Sequence, residues 1–105
     1  MSEFQLRILG KTWNCRLIDQ LPGQNFVGMF IPDRCEILLV KGQDPEQQAD
    51  TLLHEALHAI DYTLRLELSE QQIHALAAAL YALVADNPDL LNYLQVTQDV
   101  EVALA

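Results

Sequence analysis

Two kinds of hydrophobic spacing divide the chain. Over the first forty residues apolar positions come in short runs closed off by turn residues, whereas from residue 44 onward they recur every three to four positions. The first regime predicts strands over residues 4–9, 12–18, 26–31 and 35–40. Gly10-Lys11, the stretch Leu21-Pro22-Gly23-Gln24-Asn25 and Pro32-Asp33-Arg34 separate them. Gly10-Lys11 and Pro32-Asp33 each suit a tight reversal, so the expected result is a small antiparallel sheet.

The second regime predicts helices with legible ends. Asp44 is placed to cap, Pro45 fits the first helical position and Gln47 follows three residues after the cap, so a helix is expected over Pro45–Leu64. Ser69 with Gln72 has the pattern of a capping box and opens a second helix, Glu70–Asp86, which Asn87-Pro88 ends. Leu53, Leu57, Ile60 and Leu64 form the apolar stripe of the first helix. Ile73, Leu76, Ala77, Leu80 and Val84 form that of the second, which is expected to pack on the first. A shorter helix follows over residues 88–94, and the pattern assigns no state to the tail, 95–105. The fold class is α+β, one domain over residues 1–105, with the sheet in 1–41 and the helices in 44–94.

Length and composition narrow this picture. With 105 residues, half of them apolar, one modest core can form and a second domain is not expected. The longest uncharged apolar stretch, residues 75–85, falls short of the ~18 residues a membrane-spanning helix needs. The N-terminus has neither the basic flank nor the apolar segment of a secretion signal, so the cytoplasm is the expected compartment. There Cys15 and Cys35 are expected to stay reduced, and neither has the nearby second cysteine of a zinc finger. Charge is uneven within a net −9: residues 1–43 carry five basic and four acidic groups, residues 44–105 one basic group, Arg65, and eleven acidic. Such a surface lacks the clustered cations that phosphate contacts require, so nucleic acid is not an expected partner, and without a long enough apolar stretch neither is a membrane. A solvated acidic surface is the plain reading of this asymmetry, and a basic partner is the other.

What changes the picture most is His54-Glu55-Ala56-Leu57-His58, an HExxH sequence inside the first predicted helix. Four residues of helix bring the chain about 40° past a full turn, so both imidazoles leave one face and can share a Zn²⁺. Glu55, about 100° round from His54, falls beside such a metal, which suits a general base acting on a metal-held water. The same geometry puts the histidines more than about 90° from the leucine stripe, outside the expected core. No lysine or arginine stands four residues after Glu55, where Ala59 is, so a simple intrahelical ion pair does not account for it.

Strands, an HExxH helix and a second helix together resemble the zincin metallopeptidases. The run from Thr51 to Asp61, with Leu68-Ser69-Glu70-Gln71-Gln72-Ile73, Leu76-Ala77-Ala78-Ala79-Leu80-Tyr81 and Asp86-Asn87-Pro88, looks like small phage and prophage zinc-protease-like proteins of the ImmA/IrrE or minimal gluzincin type. The resemblance covers most of the chain, the strands only in outline. It implies His54 and His58 as zinc ligands, Glu55 as base and later proton donor, and peptide-bond hydrolysis as the activity. It also implies that the strand before the motif helix, Glu36–Val40, is an edge strand that receives extended substrate, the alternative being an ordinary core-packed strand.

For the third ligand the resemblance implies a glutamate from the second helix. Some relatives are acidic where this chain has Gln71 and Gln72, but Glu70 remains. Helical angles place Glu70 within about 60° of that helix's apolar centre and His74 about 100° away, so Glu70 is the expected ligand and His74 the alternative. His74 stands sixteen residues after His58, a spacing similar to that of the later histidine in SprT-like proteases. Asp61 is better suited to orient an imidazole than to bind metal, and Tyr62 fits a packed interface or a hydrogen bond to substrate. Asp99 or Glu101 of the tail offers a carboxylate that could hold the site latent. The competing expectation is a zincin-fold interaction module without turnover.

Overall fold

The computed structural model describes residues 3–20, 23 and 25–99, of which 96–99 by their backbone alone. β1 (Glu3–Ile8) and β2 (Lys11–Ile18) form a hairpin whose turn residues, Leu9 and Gly10, both take positive φ, 50° and 82°. That handedness matches the twist of the flanking strands. β3 (Gly28–Ile31) and β4 (Glu36–Val40) form a second hairpin through a 3-10 turn, Pro32–Arg34, and Cys35 in the left-handed conformation. The second reversal lies where Pro32-Asp33 predicts it, and the first lies at Leu9-Gly10, one residue before the expected Gly10-Lys11. Leu21, Pro22 and Gln24 of the longer connection lie outside the described residues.

The sheet is mixed, which corrects the antiparallel expectation. Its order is β1-β2-β4-β3, and β4 runs parallel to β2 with Cys15 opposite Ile37 and Leu17 opposite Leu39. Burial explains the order. Ile37, Leu38, Leu39 and Val40 are an unbroken apolar run, all buried, and a run of that kind is best satisfied inside a sheet with both faces covered. The chain therefore skips one strand position after β2 and β4 fills it. The expected substrate-receiving edge at Glu36–Val40 is corrected by the same fact: β4 has a strand on each side, and the open edges are β1 and β3.

Trp13 and Cys15 of β2, Ile37 and Leu39 of β4 and Ala59 of the first helix make the core, flanked by Phe4, Leu6, Ile8, Phe30 and Leu52. In α1 (Pro45–Leu64) the Asp44 carboxylate accepts the Gln47 N–H at 2.8 Å, the expected cap. Its buried line is Thr51, Glu55 and Ala59, not the leucine stripe; Leu53, Leu57 and Ile60 are half-buried and Leu64 is exposed. Small side chains at 51 and 59 let the helix lie close on the sheet, and the bulkier leucines fall away from that line.

α2 (Glu70–Asp86) begins with the predicted capping box: Ser69 N–H donates to Gln72 Oε1 at 2.8 Å and Gln72 N–H to Ser69 Oγ at 3.0 Å. It packs on α1 through Ile73 and Ala77, while Leu76, Leu80 and Val84 of the expected stripe stay exposed, because no described element packs extensively on that side. α3 (Leu90–Asp99) extends past the expected end at residue 94, so part of the tail is helical, and residues 100–105 lie outside the described residues. No helix among the described residues is long and apolar enough to cross a membrane.

Candidate metal centre

His54 and His58 leave α1 one turn apart with ring centroids 5.0 Å from each other. Where α1 ends, Arg65 and Glu67 take left-handed φ of 56° and 59°, and Asp61 clamps the reversal. Its backbone oxygen accepts the N–H groups of Arg65 and Leu66, and its Oδ1 accepts the Leu68 N–H at 3.0 Å. α2 consequently starts at Glu70 facing back onto α1. Glu70 Oε1 lies 2.5 Å from His54 Nε2 and its Oε2 lies 3.1 Å from His58 Nε2.

Ligand atoms of His54, His58 and Glu70 all lie within 4.8 Å of one another, the one such group among the described residues. Two imidazoles and a carboxylate are a donor set of catalytic zinc sites, and at Zn–ligand distances of about 2.0–2.2 Å adjacent ligand atoms sit roughly 3.4 Å apart. Glu70 has only to draw back by under ~1 Å from that arrangement, and its side chain, 68% exposed, has the freedom to do so. The imidazoles are the fixed part, with 18% and 25% of their surfaces exposed. The residues present fit a divalent metal.

The other expected site residues fall as follows. His74 lines the same cleft with its ring 6.1 Å from that of His54, outside the converging group. Asp61, expected to orient an imidazole, turns its Oδ1 to the Leu68 N–H. Through that bond it fixes the turn before α2 and so positions Glu70. Tyr62 is half exposed and packs edge-on against Phe30 at 5.7 Å, away from the cleft lining.

Glu55 is 7% exposed at the cleft floor. Burial pushes its pKa up from 4.5 to about 7; the charge on His54 opposes the rise and that on Glu70 adds to it. A carboxylate poised there can take and return a proton near neutrality.

Sequence reasoning missed the sheet side of the site. A cleft of about 620 Å³ separates α1 and α2 from β3 and the residues leading into it. Phe30 of β3 stacks on His58 at 5.9 Å and meets Trp13 at 5.1 Å, so a line of rings runs from the core to one candidate ligand. The Gln43 amide donates to the Val27 and Val40 carbonyls at 3.1 and 2.8 Å and its oxygen accepts the Thr51 hydroxyl at 2.8 Å, tying the start of β3 to α1. Only Gly28 carried a signal, since a glycine inside a strand marks a close approach. A Cβ there would lie 2.6 Å from Thr51 Cγ2 and 3.1 Å from Glu55 Oε2.

Gly28→Ala therefore forces β3 off α1 and shifts the Glu55 carboxylate. We expect a loss of about 1–3 kcal/mol in chemical denaturation, the usual cost of overpacking. Unchanged stability would mean that β3 is not held against Glu55. No protein-family model, curated protein or solved structure matches the chain.

Proposed function

We propose that the chain is a small zincin-like zinc metallopeptidase hydrolysing peptide bonds. One observation carries the reading: Glu70 meets His54 and His58 beside a buried Glu55, in a cleft open along a sheet edge. His54, His58 and Glu70 would hold the zinc, which when bound supplies Lewis acidity that lowers the pKa of water and polarises a carbonyl. Glu55 accepts the proton of the attacking water and passes it to the departing amine, a role its burial suits. β3, the edge strand on the cleft, presents unpaired backbone groups that can pair with an extended substrate. Phe30 holds the His58 ring in place.

A second reading, an interaction module on the same fold, is favoured by the uncovered apolar side of α2, where Leu76 and Leu83 are 42% and 48% exposed. The two separate by turnover. Zinc-loaded protein incubated with an unfolded protein substrate is expected to yield fragments, stopped by a chelator and restored by zinc. Zinc bound one to one with no fragments would sink the peptidase reading and leave the module.

A further inference from the structure

Beyond the metal cleft, a second groove of about 690 Å³ lies between the first turns of α1 and the last turns of α2. Its floor is apolar and shallow, from Ala78, Ala82 and Tyr81, and its walls carry Glu46 and Asp50 of α1 and Asp86 of α2. Gln47, Asp50 and His74 line both spaces, so the groove opens directly into the cleft. Its volume is that of a ligand site, roughly 300–1,000 Å³.

The charge here is unbalanced. Asp50 and Arg65, the one cation after residue 43, are fifteen helical positions apart, roughly 22 Å and well beyond the ~8 Å over which charges act in salt. Lys41, nearer in sequence, pairs with Asp19 at 3.9 Å. Glu46 has a local explanation at a helix N-terminus, but Asp86 does not: it ends α2, at the negative pole of the helix dipole, with no basic residue in that last turn. A cation bound beside Asp86 relieves that local repulsion. An inorganic cation does not fit, since the only described group whose ligand atoms converge is His54, His58 and Glu70. An alkyl-stemmed cation does: the alanines take the stem, and the Tyr81 ring and the walls take the charge.

We propose that this groove binds a lysine- or arginine-bearing stretch of polypeptide that continues into the metal cleft. From His54 to Glu46 is eight helical residues, about 12 Å, so the basic residue sits roughly four positions of extended chain from the reacting bond. The direction of the chain rests on the peptidase reading; the binding of basic polypeptide does not.

Binding is therefore measured apart from turnover, by fluorescence anisotropy of a labelled unstructured Ala/Lys/Arg peptide on the Glu55→Gln protein. Glu46→Gln/Asp86→Asn added to it is expected to weaken binding about tenfold. Asp33→Asn/Glu67→Gln, which removes two charges elsewhere, leaves binding unchanged. Ala82→Phe, at an exposed position checked by circular dichroism, fills the floor and also weakens it. Equal losses in the two charge pairs, no loss with Ala82→Phe, or equal binding of a Glu-substituted peptide would each overturn the groove. Binding that behaves as expected without any fragments from wild type would retain the groove and reject the peptidase.

Discussion

His54→Ala and His58→Ala are each expected to lose stoichiometric zinc, and with it a large part of the thermal stability. Removing either imidazole leaves two donors where a zinc site needs at least three from the protein. The third donor belongs to the next helix, so a bound metal fastens α1 to α2 across the reversal that Asp61 clamps. At free zinc a thousandfold above the dissociation constant that linkage amounts to about 4 kcal/mol, which in a chain of this size shifts the melting temperature by on the order of 10–20 °C. Elemental analysis of wild type should give one zinc per chain, and chelation should reproduce the lower melting temperature. Glu70→Gln should lose most of the affinity and His74→Gln little, because only Glu70 lies within contact of both imidazoles. Full zinc retained by both histidine variants would dismiss the site. A large loss confined to His74→Gln would reassign the third ligand.

The parts of this arrangement that sequence made legible are those set within one or two turns of helix. The caps at Asp44 and Ser69, the common face of His54 and His58 and the inward turn of Glu70 follow from the helical repeat alone. Strand order did not follow, because a period of two gives each strand its faces and not its neighbours. The unbroken run Ile37-Leu38-Leu39-Val40 nevertheless held the signal that β4 is interior, a matter that the two hairpin turns, both formed, leave undecided. α1 departs from its hydropathy pattern for a different reason. Hydropathy favours the line of Leu53, Leu57 and Ile60, but the closest approach to the sheet selects slender side chains, and so Glu55 is buried between Thr51 and Ala59. The Asp61 clamp could not be foreseen, since Arg65 and Glu67 adopt left-handed conformations that carry no glycine or asparagine to announce them.

That burial makes Glu55 the residue whose replacement moves two properties in opposite directions. Glu55→Gln keeps size and helix propensity and leaves all three candidate ligands, so on the proposed function zinc is expected to stay bound while peptide cleavage falls on the order of 10³-fold, the contribution of a positioned base. Stability of the metal-free protein moves the other way. The Glu55 pKa is raised on folding, from 4.5 to about 7, so between those values the folded chain holds more protons than the unfolded one and wild-type stability declines as pH rises. The glutamine variant has no such loss. Its advantage is absent below pH 4.5, grows through neutrality and is complete above pH 7, reaching at most about 3 kcal/mol for a shift of roughly 2.5 units at 1.36 kcal/mol each. Urea titrations of the two metal-free proteins at pH 5 and pH 8 measure it. A glutamate that served only to pack α1 on the sheet would give the same pH dependence, since burial alone raises its pKa, but a variant no less active, and unchanged cleavage would remove Glu55 from the chemistry.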